Sequence, residues 1–413
     1  MNAAAAIPES VHSGTAWGRM LSPIDPAVFL DEHFGEKPLH VPGRPGKLAD
    51  LFSWQDLNTI LEQDMLSYPQ LRLVRGGDLD PKLYFNQHDG RRRVDAAILL
   101  KEMSDGATLI LRYCDRLVPR LREFACSLER ELGVSVHVDM LAGCSRVNAL
   151  GTHWDEFECF NVQLSGVKYW KVYRPQRLYP QRRTFTFPLR DDVGDSPALA
   201  PEASPAWEGP LRAGDLIYVP RGWWHQVTPE ELPSLHLSIA VEPPAGSDFL
   251  HWLADRLKSD ELVRMNIPYW NVAKRRAFLD RLHAAAESQV NEGVLAEYLC
   301  HSDETAVQRP ALGLPQSASA VAPSLRASTR VRLQCPRKFI VEEDSSRGTF
   351  RFRCKGQFFE FGSFLLPAFQ TLNGGGPQTM QRLSEGIPSI AVQALVLALW
   401  TAGLVSIGED GTL

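Results

Sequence analysis

His153-Trp154-Asp155 and, in a separate segment, His225 at the end of Pro220-Arg221-Gly222-Trp223-Trp224-His225 carry the residues most able to do chemistry. Two imidazoles and one carboxylate are the ligand set of a facial triad. Such a triad grips iron(II) on one side and leaves its other positions open to a cosubstrate and oxygen. Spacing alone leaves zinc, manganese and nickel open as well, because geometry and availability decide among them. Any one of these histidines taken singly reads as a hydrogen-bonded structural residue. The HxD pair together with a distant Pro-x-Gly-x-x-His favours the metal.

The elements that must position these ligands read as strands. Side chains alternate faces along a strand, so His153 and Asp155 point the same way, and Phe157, Cys159, Asn161 and Gln163 follow them inward if the strand stays regular. Ser165-Gly166 reads as a hairpin turn between Phe157–Leu164 and Lys168–Tyr173. On the returning strand Lys168, Trp170 and Val172 share one face. A lysine opposite a pair of metal ligands is costly to bury unless it meets an anion, and a dicarboxylate chelating the metal would supply one.

Around this centre the chain divides by pattern. Residues 1–95 read as an α/β lead-in, with helices over Pro26–Phe34 and from Trp54, the latter capped by Ser53 and Asp56. Residues 96–245 hold short strands punctuated by Gly and Pro, which argues for an antiparallel sandwich or barrel. Thr186 to Pro210, rich in Pro, Asp and Ala, reads as a long insertion over that barrel. Residues 246–300 are helical and could close the barrel or build a dimer. Residues 301–330 read as a linker. Residues 331–413 combine strands at Lys338–Val341, Thr349–Cys354 and Gln357–Phe361 with helices near Phe364–Leu372 and Ser389–Ala402, the pattern of a winged-helix module.

Composition narrows the class. In 413 residues there are 44 Lys+Arg against 49 Asp+Glu, a net charge of −5, so nothing global attracts nucleic acid or acidic lipid. No apolar run is long enough to span a bilayer, and the N-terminus does not read as a secretory signal. Seven scattered cysteines without a CxxC pair suit a reducing cytoplasm.

Asp139 to Glu242 resembles the JmjC-domain oxygenases, in their cupin-4 branch of ribosomal oxygenases. The resemblance is carried by Gly151–Phe157, Gln163–Trp170, Gly214–His225 and Ser234–Ser238, with Glu36–Val41 and Leu51–Trp54 in the lead-in. It implies an α+β fold: a double-stranded β-helix (jelly-roll or cupin) barrel with flanking helices, a helical dimerisation block and a C-terminal winged helix. It implies an iron(II)- and 2-oxoglutarate-dependent dioxygenase that couples oxoglutarate decarboxylation to hydroxylation of a protein or peptide side chain, with O2 as oxidant. A ribosomal protein is the implied substrate. Carried over by position, His153, Asp155 and His225 are the iron ligands. Lys168 pairs with the distal carboxylate of 2-oxoglutarate, Ser238 adds a hydroxyl donor, and His236 and Asn161 line the same pocket. One departure stands out. The family's Asn-x-Tyr before the HxD turn falls on Asp139 and Leu141, and an aspartate beside a bound dianion must be protonated or turned away.

The remaining features read as structural. Trp223-Trp224 reads as core. Arg177, Arg182, Arg183 and Arg190 read as a solvated surface, as do Arg351, Arg353 and Lys355. The helix from Ser389 has no Lys or Arg, which argues against DNA binding and for a protein-contact or homodimer-supporting module. Three other readings stay open: a hydroxylase of a biosynthetic precursor peptide gripped by the winged helix, a non-catalytic cupin-type binding or regulatory protein, and a cupin-type metal isomerase or sugar-binding protein.

Overall fold

A computed structural model describes residues 15–88, 91–176, 178–180, 204–306, 314–315, 318, 321–335, 337–354 and 357–408. Two compact units divide the chain. One holds residues 1–131 and 136–242, and the other holds 132–135 and 243–413. No helix among the described residues is long and apolar enough to cross a membrane.

The first unit opens with helices α1 (Ala16–Leu21) and α2 (Pro26–Glu32), strand β1 (Leu39–Val41), helix α3 (Trp54–Glu62) and strands β2 (Leu71–Val74), β3 (Phe85–His88) and β4 (Arg91–Val94). Helix α4 (Ala96–Ser104), strand β5 (Thr108–Leu111) and helix α5 (Pro119–Leu132) follow. Then come β6 (Ser135–Gly143), β7 (His153–Trp154), β8 (Glu158–Tyr173), β9 (Trp207–Leu211), β10 (Leu216–Val219) and β11 (Trp224–Glu242).

Local chemistry explains the helix starts. Asp25 accepts from Ala27 N at the head of α2, and Asp95 from Ile98 N at the head of α4. Ser53 and Asp56 form the expected reciprocal capping box.

Nine of these eleven strands form one sheet in the order β1-β10-β8-β11-β6-β5-β2, with β7 added on β11 and β9 on β8, while β3 and β4 pair with each other. Strands β8 and β11 pair antiparallel with each other, as β10 and β9 do with β8, β7 with β11, β1 with β10, and β5 with both β2 and β6. Strands β1 and β2, from the stretch read as a lead-in, belong to this same sheet. One side of β8 and β10 carries Phe160 and Tyr218, cross-strand partners. They pack against Trp17 and Phe29, with Trp17–Phe160 centroids at 5.3 Å and Phe29–Tyr218 at 4.9 Å. Burying each such ring contributes on the order of 2 kcal/mol. The opposite side carries Cys159, Asn161, Ile217 and Val219, and this interior face holds the site.

The Ser165-Gly166 hairpin does not form. Strand β8 runs unbroken through Gly166, and β11 pairs along nearly its whole length. Gly166 has φ +69, and a Cβ there would lie 2.4 Å from Glu231 O and 2.7 Å from Pro233 O. The register with β11 shifts around Pro229, Glu231 and Leu235. The glycine signal therefore marks a bulge, where the partner strand's backbone presses close, rather than a reversal. The end of the segment read as an insertion is also strand, since β9 pairs with the Lys168–Val172 half of β8. The stretch 186–203 of that insertion, and Arg177, Arg182, Arg183, Arg190 and Lys355, lie outside the described residues.

The second unit begins with α6 (Gly246–Leu257), α7 (Glu261–Arg264), α8 (Val272–Gln289) and α9 (Glu292–Thr305). Helix α9 runs past residue 300 into the stretch read as linker. Phe249 and Trp252 of α6 pack on Tyr298 of α9, with centroids at 5.5 and 5.6 Å. Beyond it lie β12 (Arg330–Leu333), β13 (Val341–Asp344), β14 (Thr349–Cys354), β15 (Gln357–Gly362), α10 (Leu366–Asn373), β16 (Gln378–Thr379), α11 (Met380–Leu383), α12 (Ser389–Thr401) and β17 (Val405–Gly408). The strand expected at Lys338–Val341 starts instead at Val341, because Phe339 turns into the core and its backbone bonds to the Asn373 side chain. Phe350, Phe352 and Phe369 centre this unit's core, together with the apolar side of α12.

Candidate metal and cosubstrate site

The turn before β11 delivers the second histidine. Trp223 N donates to Pro220 O, and Gly222 sits at φ +83, the third position of a tight turn that demands glycine. Gly222 N also donates to Asp155 O, which ties this turn to the first ligand segment. Strand β11 then pairs with β7 so that His225 lies directly across from His153. The two imidazole centroids are 4.3 Å apart. Asp155, two residues on and on the same face, brings its Oδ2 to 3.6 Å from His225 Nε2. One ligand atom from each of the three lies within 4.8 Å of the others.

The ring orientations suit a metal. His153 Nδ1 is 3.4 Å from Gly151 O, and His225 Nδ1 is 3.3 Å from Trp223 O. Carbonyls that accept Nδ1–H fix the tautomer and leave Nε2 as the ligand atom. Burial, reinforced by His153, pushes the His225 imidazole down to about 4, so it is neutral at physiological pH, as a ligand must be. Burial works against the charge of Asp155, but His225 and His153 outweigh it and hold the carboxyl below its ordinary range. Trp223 and Trp224 are both buried, as core residues.

Lys168 lies further along the same interior face, and the Gly166 bulge is what puts it there. Gln163 and Lys168 are an odd number of residues apart, so a regular strand would send them to opposite faces. Instead both are buried inside. Lys168 Nζ lies 2.5 Å from His236 Nδ1, with the two residues 3% and 4% exposed. Burial pushes the Lys168 ammonium down to about 7. Burial, and then Lys168 itself, pushes His236 well down. The Trp170 ring bridges toward both ends, 5.6 Å and near-parallel to His225 and 5.9 Å and edge-on to His236.

The other expected residues fall as follows. Asn161 faces inward, and its Nδ2 is buried without a hydrogen-bond partner, as are Trp170 Nε1 and Gln163 Oε1. Ser238 is the cross-strand partner of Asn161, but its hydroxyl engages Cys159, whose thiol in turn reaches Asp155 Oδ2 at 3.5 Å. The structure thus joins Lys168 with His236, and Ser238 with the triad's neighbour. Asp139 is engaged elsewhere. Its Oδ1 accepts from Tyr113 N at 2.9 Å, and its Oδ2 lies 3.5 Å from Arg112 Nε. Burial raises its carboxyl above the ordinary range.

His137 was not singled out in the sequence. It shares the β6 face with Asp139, sits between the rings of Tyr113 and Phe157, and bonds through Nδ1 to Glu242 Oε1 at 2.8 Å. Burial opposes its charge, but Glu242 and Asp139 outweigh burial and raise it. Strand parity along β6 could have found it. Its partner, 105 residues away, could not be found that way.

Comparison with known proteins agrees with this geometry. The JmjC domain family matches residues 119–249. The bifunctional lysine-specific demethylase and histidyl-hydroxylase NO66 of Caenorhabditis elegans is 26% identical over 237 residues, covering 56% of this chain and 30% of that protein. Ribosomal oxygenase 1 of Gallus gallus is 27% identical over 289 residues, covering 64% and 45%. The chain therefore spans less than half the length of these two curated relatives. The X-ray structure of Escherichia coli YcfD superposes with a TM-score of 0.56 at 14% identity, covering 93% of this chain and 98% of that one. A YcfD ribosomal oxygenase structure in complex with cobalt and 2-oxoglutarate superposes at 0.53, with 15% identity and the same coverage. Residues 119–249 thus form a JmjC domain, the chain shares the fold of YcfD, and its sequence is similar to those of the two curated relatives.

Proposed function

We propose that this chain is an iron(II)- and 2-oxoglutarate-dependent dioxygenase that hydroxylates a protein or peptide side chain, with a ribosomal protein as substrate. The observation that carries the reading is one interior face with two unlike ends. One end presents two imidazoles and a carboxylate, and the other a buried lysine with no carboxylate partner among the described residues.

The residues fit the group they would hold. His153, Asp155 and His225 offer the N, O, N donors of a facial triad, with both histidines already oriented by backbone carbonyls. Lys168 would meet the distal carboxylate of 2-oxoglutarate, and Asn161 Nδ2 and Trp170 Nε1 are buried donors in want of an acceptor. When bound, iron(II), 2-oxoglutarate and O2 supply the oxidising power, yielding succinate, CO2 and a hydroxylated C–H position. The chain's own part is to hold and orient. Ile217, Val219, Trp170 and Trp223 form an apolar wall that keeps water from the interior, and Cys159, its thiol raised far up by burial, stays protonated as a donor to Asp155.

The name of the C. elegans relative includes both demethylation and hydroxylation, so the product decides the class. Mass spectrometry of ribosomal proteins incubated with the enzyme should find a +16 Da side chain. Formaldehyde release in its place would make the enzyme a demethylase, and a +16 Da change confined to precursor peptides would move the substrate class. Succinate formation that survives His153→Ala would sink the whole reading.

Residues 246–300 and 331–413 would serve as a dimerisation block and a winged-helix protein-contact module. Trp270, 93% exposed, and its neighbour Tyr269 are the apolar side chains a second copy would cover. The reading places the chain in the cytoplasm, where its seven free cysteines would stay reduced.

A further inference from the structure

We propose that Lys168 and His236 act as one receptor for the cosubstrate's distal carboxylate, with His236 the positioning residue, and that the binding of 2-oxoglutarate takes up a proton from solvent. This rests on the function proposed above and adds to it a second residue and a thermodynamic signature.

The geometry comes first. Lys168 Nζ and His236 Nδ1 are 2.5 Å apart, and both side chains are buried on the interior face. An ammonium has three donors and no acceptor, so whenever Lys168 is charged His236 Nδ1 is the accepting nitrogen. That leaves the His236 proton on Nε2 and makes the imidazole neutral. A neutral acceptor can hold Nζ in place whether the lysine carries two hydrogens or three. It cannot neutralise the charge.

No carboxylate pairs with Lys168 among the described residues. The strands around it offer little else: β9 places Leu211 across from it, and β11 places Pro229. Among the described residues, the titratable groups that face the pair are His225 and, within it, His236 and Lys168. None supplies negative charge. A cation in such surroundings is costly to keep, which agrees with an ammonium pushed down to about 7 by burial alone.

A dianion entering this face changes the balance. Its distal carboxylate supplies the missing countercharge, and the ammonium becomes the favoured form. Above pH 7 the free protein holds Lys168 mostly neutral, so complex formation must draw one proton from the buffer. Below pH 7 the proton is already present. His236 fixes where that proton sits, because its Nδ1 is the buried acceptor that aims the amine.

Calorimetric titration tests this directly. The full chain loaded with cobalt(II), without oxygen, is titrated with 2-oxoglutarate at pH 6, 7 and 8 in buffers of different ionisation enthalpy. The slope of binding heat against buffer enthalpy should rise from few protons taken up at pH 6 towards about one at pH 8, and affinity should fall by up to about tenfold per unit once the free lysine is neutral. His236→Leu should move the onset of uptake to lower pH and weaken binding. His236→Gln, whose amide oxygen restores an acceptor, should recover both. Binding without proton uptake at any of these pH values overturns the inference and leaves the proposed function standing. A His236→Leu profile that matches the parent removes His236 from the receptor. No binding of 2-oxoglutarate by the parent overturns both readings.

Discussion

The two ends of the interior face solve opposite electrostatic problems. At the triad end the groups complement one another within the protein: Asp155 lies against two imidazoles, and each ring's second nitrogen meets a carbonyl. At the lysine end, an amine is buried against a neutral imidazole, and no carboxylate among the described residues is there to balance its charged form. The first end is nearly complete as a protein structure. The second is complete only with an anion. A site with one finished end and one unfinished end prefers ligands that bring both a metal chelator and a distal negative charge.

Breaking the finished end should have the largest effect. His153→Ala or His225→Ala should lower metal-dependent succinate formation below about one-hundredth, beyond the loss typical of an outer-shell partner, and should abolish cobalt(II) binding in a direct titration. Next comes the bend that brings the two ends together. Gly166→Ala places a methyl on Glu231 O at a positive φ, and should cost about 2–4 kcal/mol in urea unfolding. If Gly166→Ala unfolds like the parent, the bulge is not what holds the β8–β11 register.

Lys168→Ala separates the ends. It should raise the dissociation constant for 2-oxoglutarate by about 30-fold or more while leaving cobalt(II) affinity within about twofold. An equal loss of both would mean the ends are not separable.

The pH dependence of the free protein is a subtler test. The folded Lys168 sits near 7, below its unfolded value of about 10.4. Between those values the unfolded chain binds more protons, so stability should rise with pH, by at most about 1.4 kcal/mol per unit. The isosteric Lys168→Met should flatten that rise in urea melts between pH 7 and 9. Asp139→Asn should matter least. Because Asp139 is turned to Tyr113 and Arg112, the substitution should leave 2-oxoglutarate affinity within about threefold. A larger gain would place its charge back on the pocket.

The finished end was legible in the sequence, and the unfinished end only in part. His153 and Asp155 depend on the local period of a strand, and His225 follows a turn whose glycine announces itself. Lys168 was found on the right face for the wrong reason. The assumed hairpin at Ser165-Gly166 resets parity just as the bulge does, so the two errors of topology and register cancelled. The Lys168–His236 contact could not be read at all, because it depends on shifts in β11 opposite the bulge that leave no pattern in a single strand. Asp139 looked misplaced because the sequence does not reveal that the amide of Tyr113, on a left-handed residue, waits for it. In the second unit, Val341 rather than Lys338 opens β13 because Asn373, far along the chain, holds Phe339 in the core.

Trp170 has a consequence of its own. Its indole is 2% exposed, lies near-parallel to His225 and meets His236 edge-on. Held by packing on all sides, it cannot shorten or lengthen the gap between the triad and the lysine. It works as a ruler. A 2-oxo diacid one carbon shorter should chelate without reaching Lys168, and one carbon longer should have to buckle. Discrimination by length would then reside in the packing of an aromatic ring rather than in the charge that meets the carboxylate.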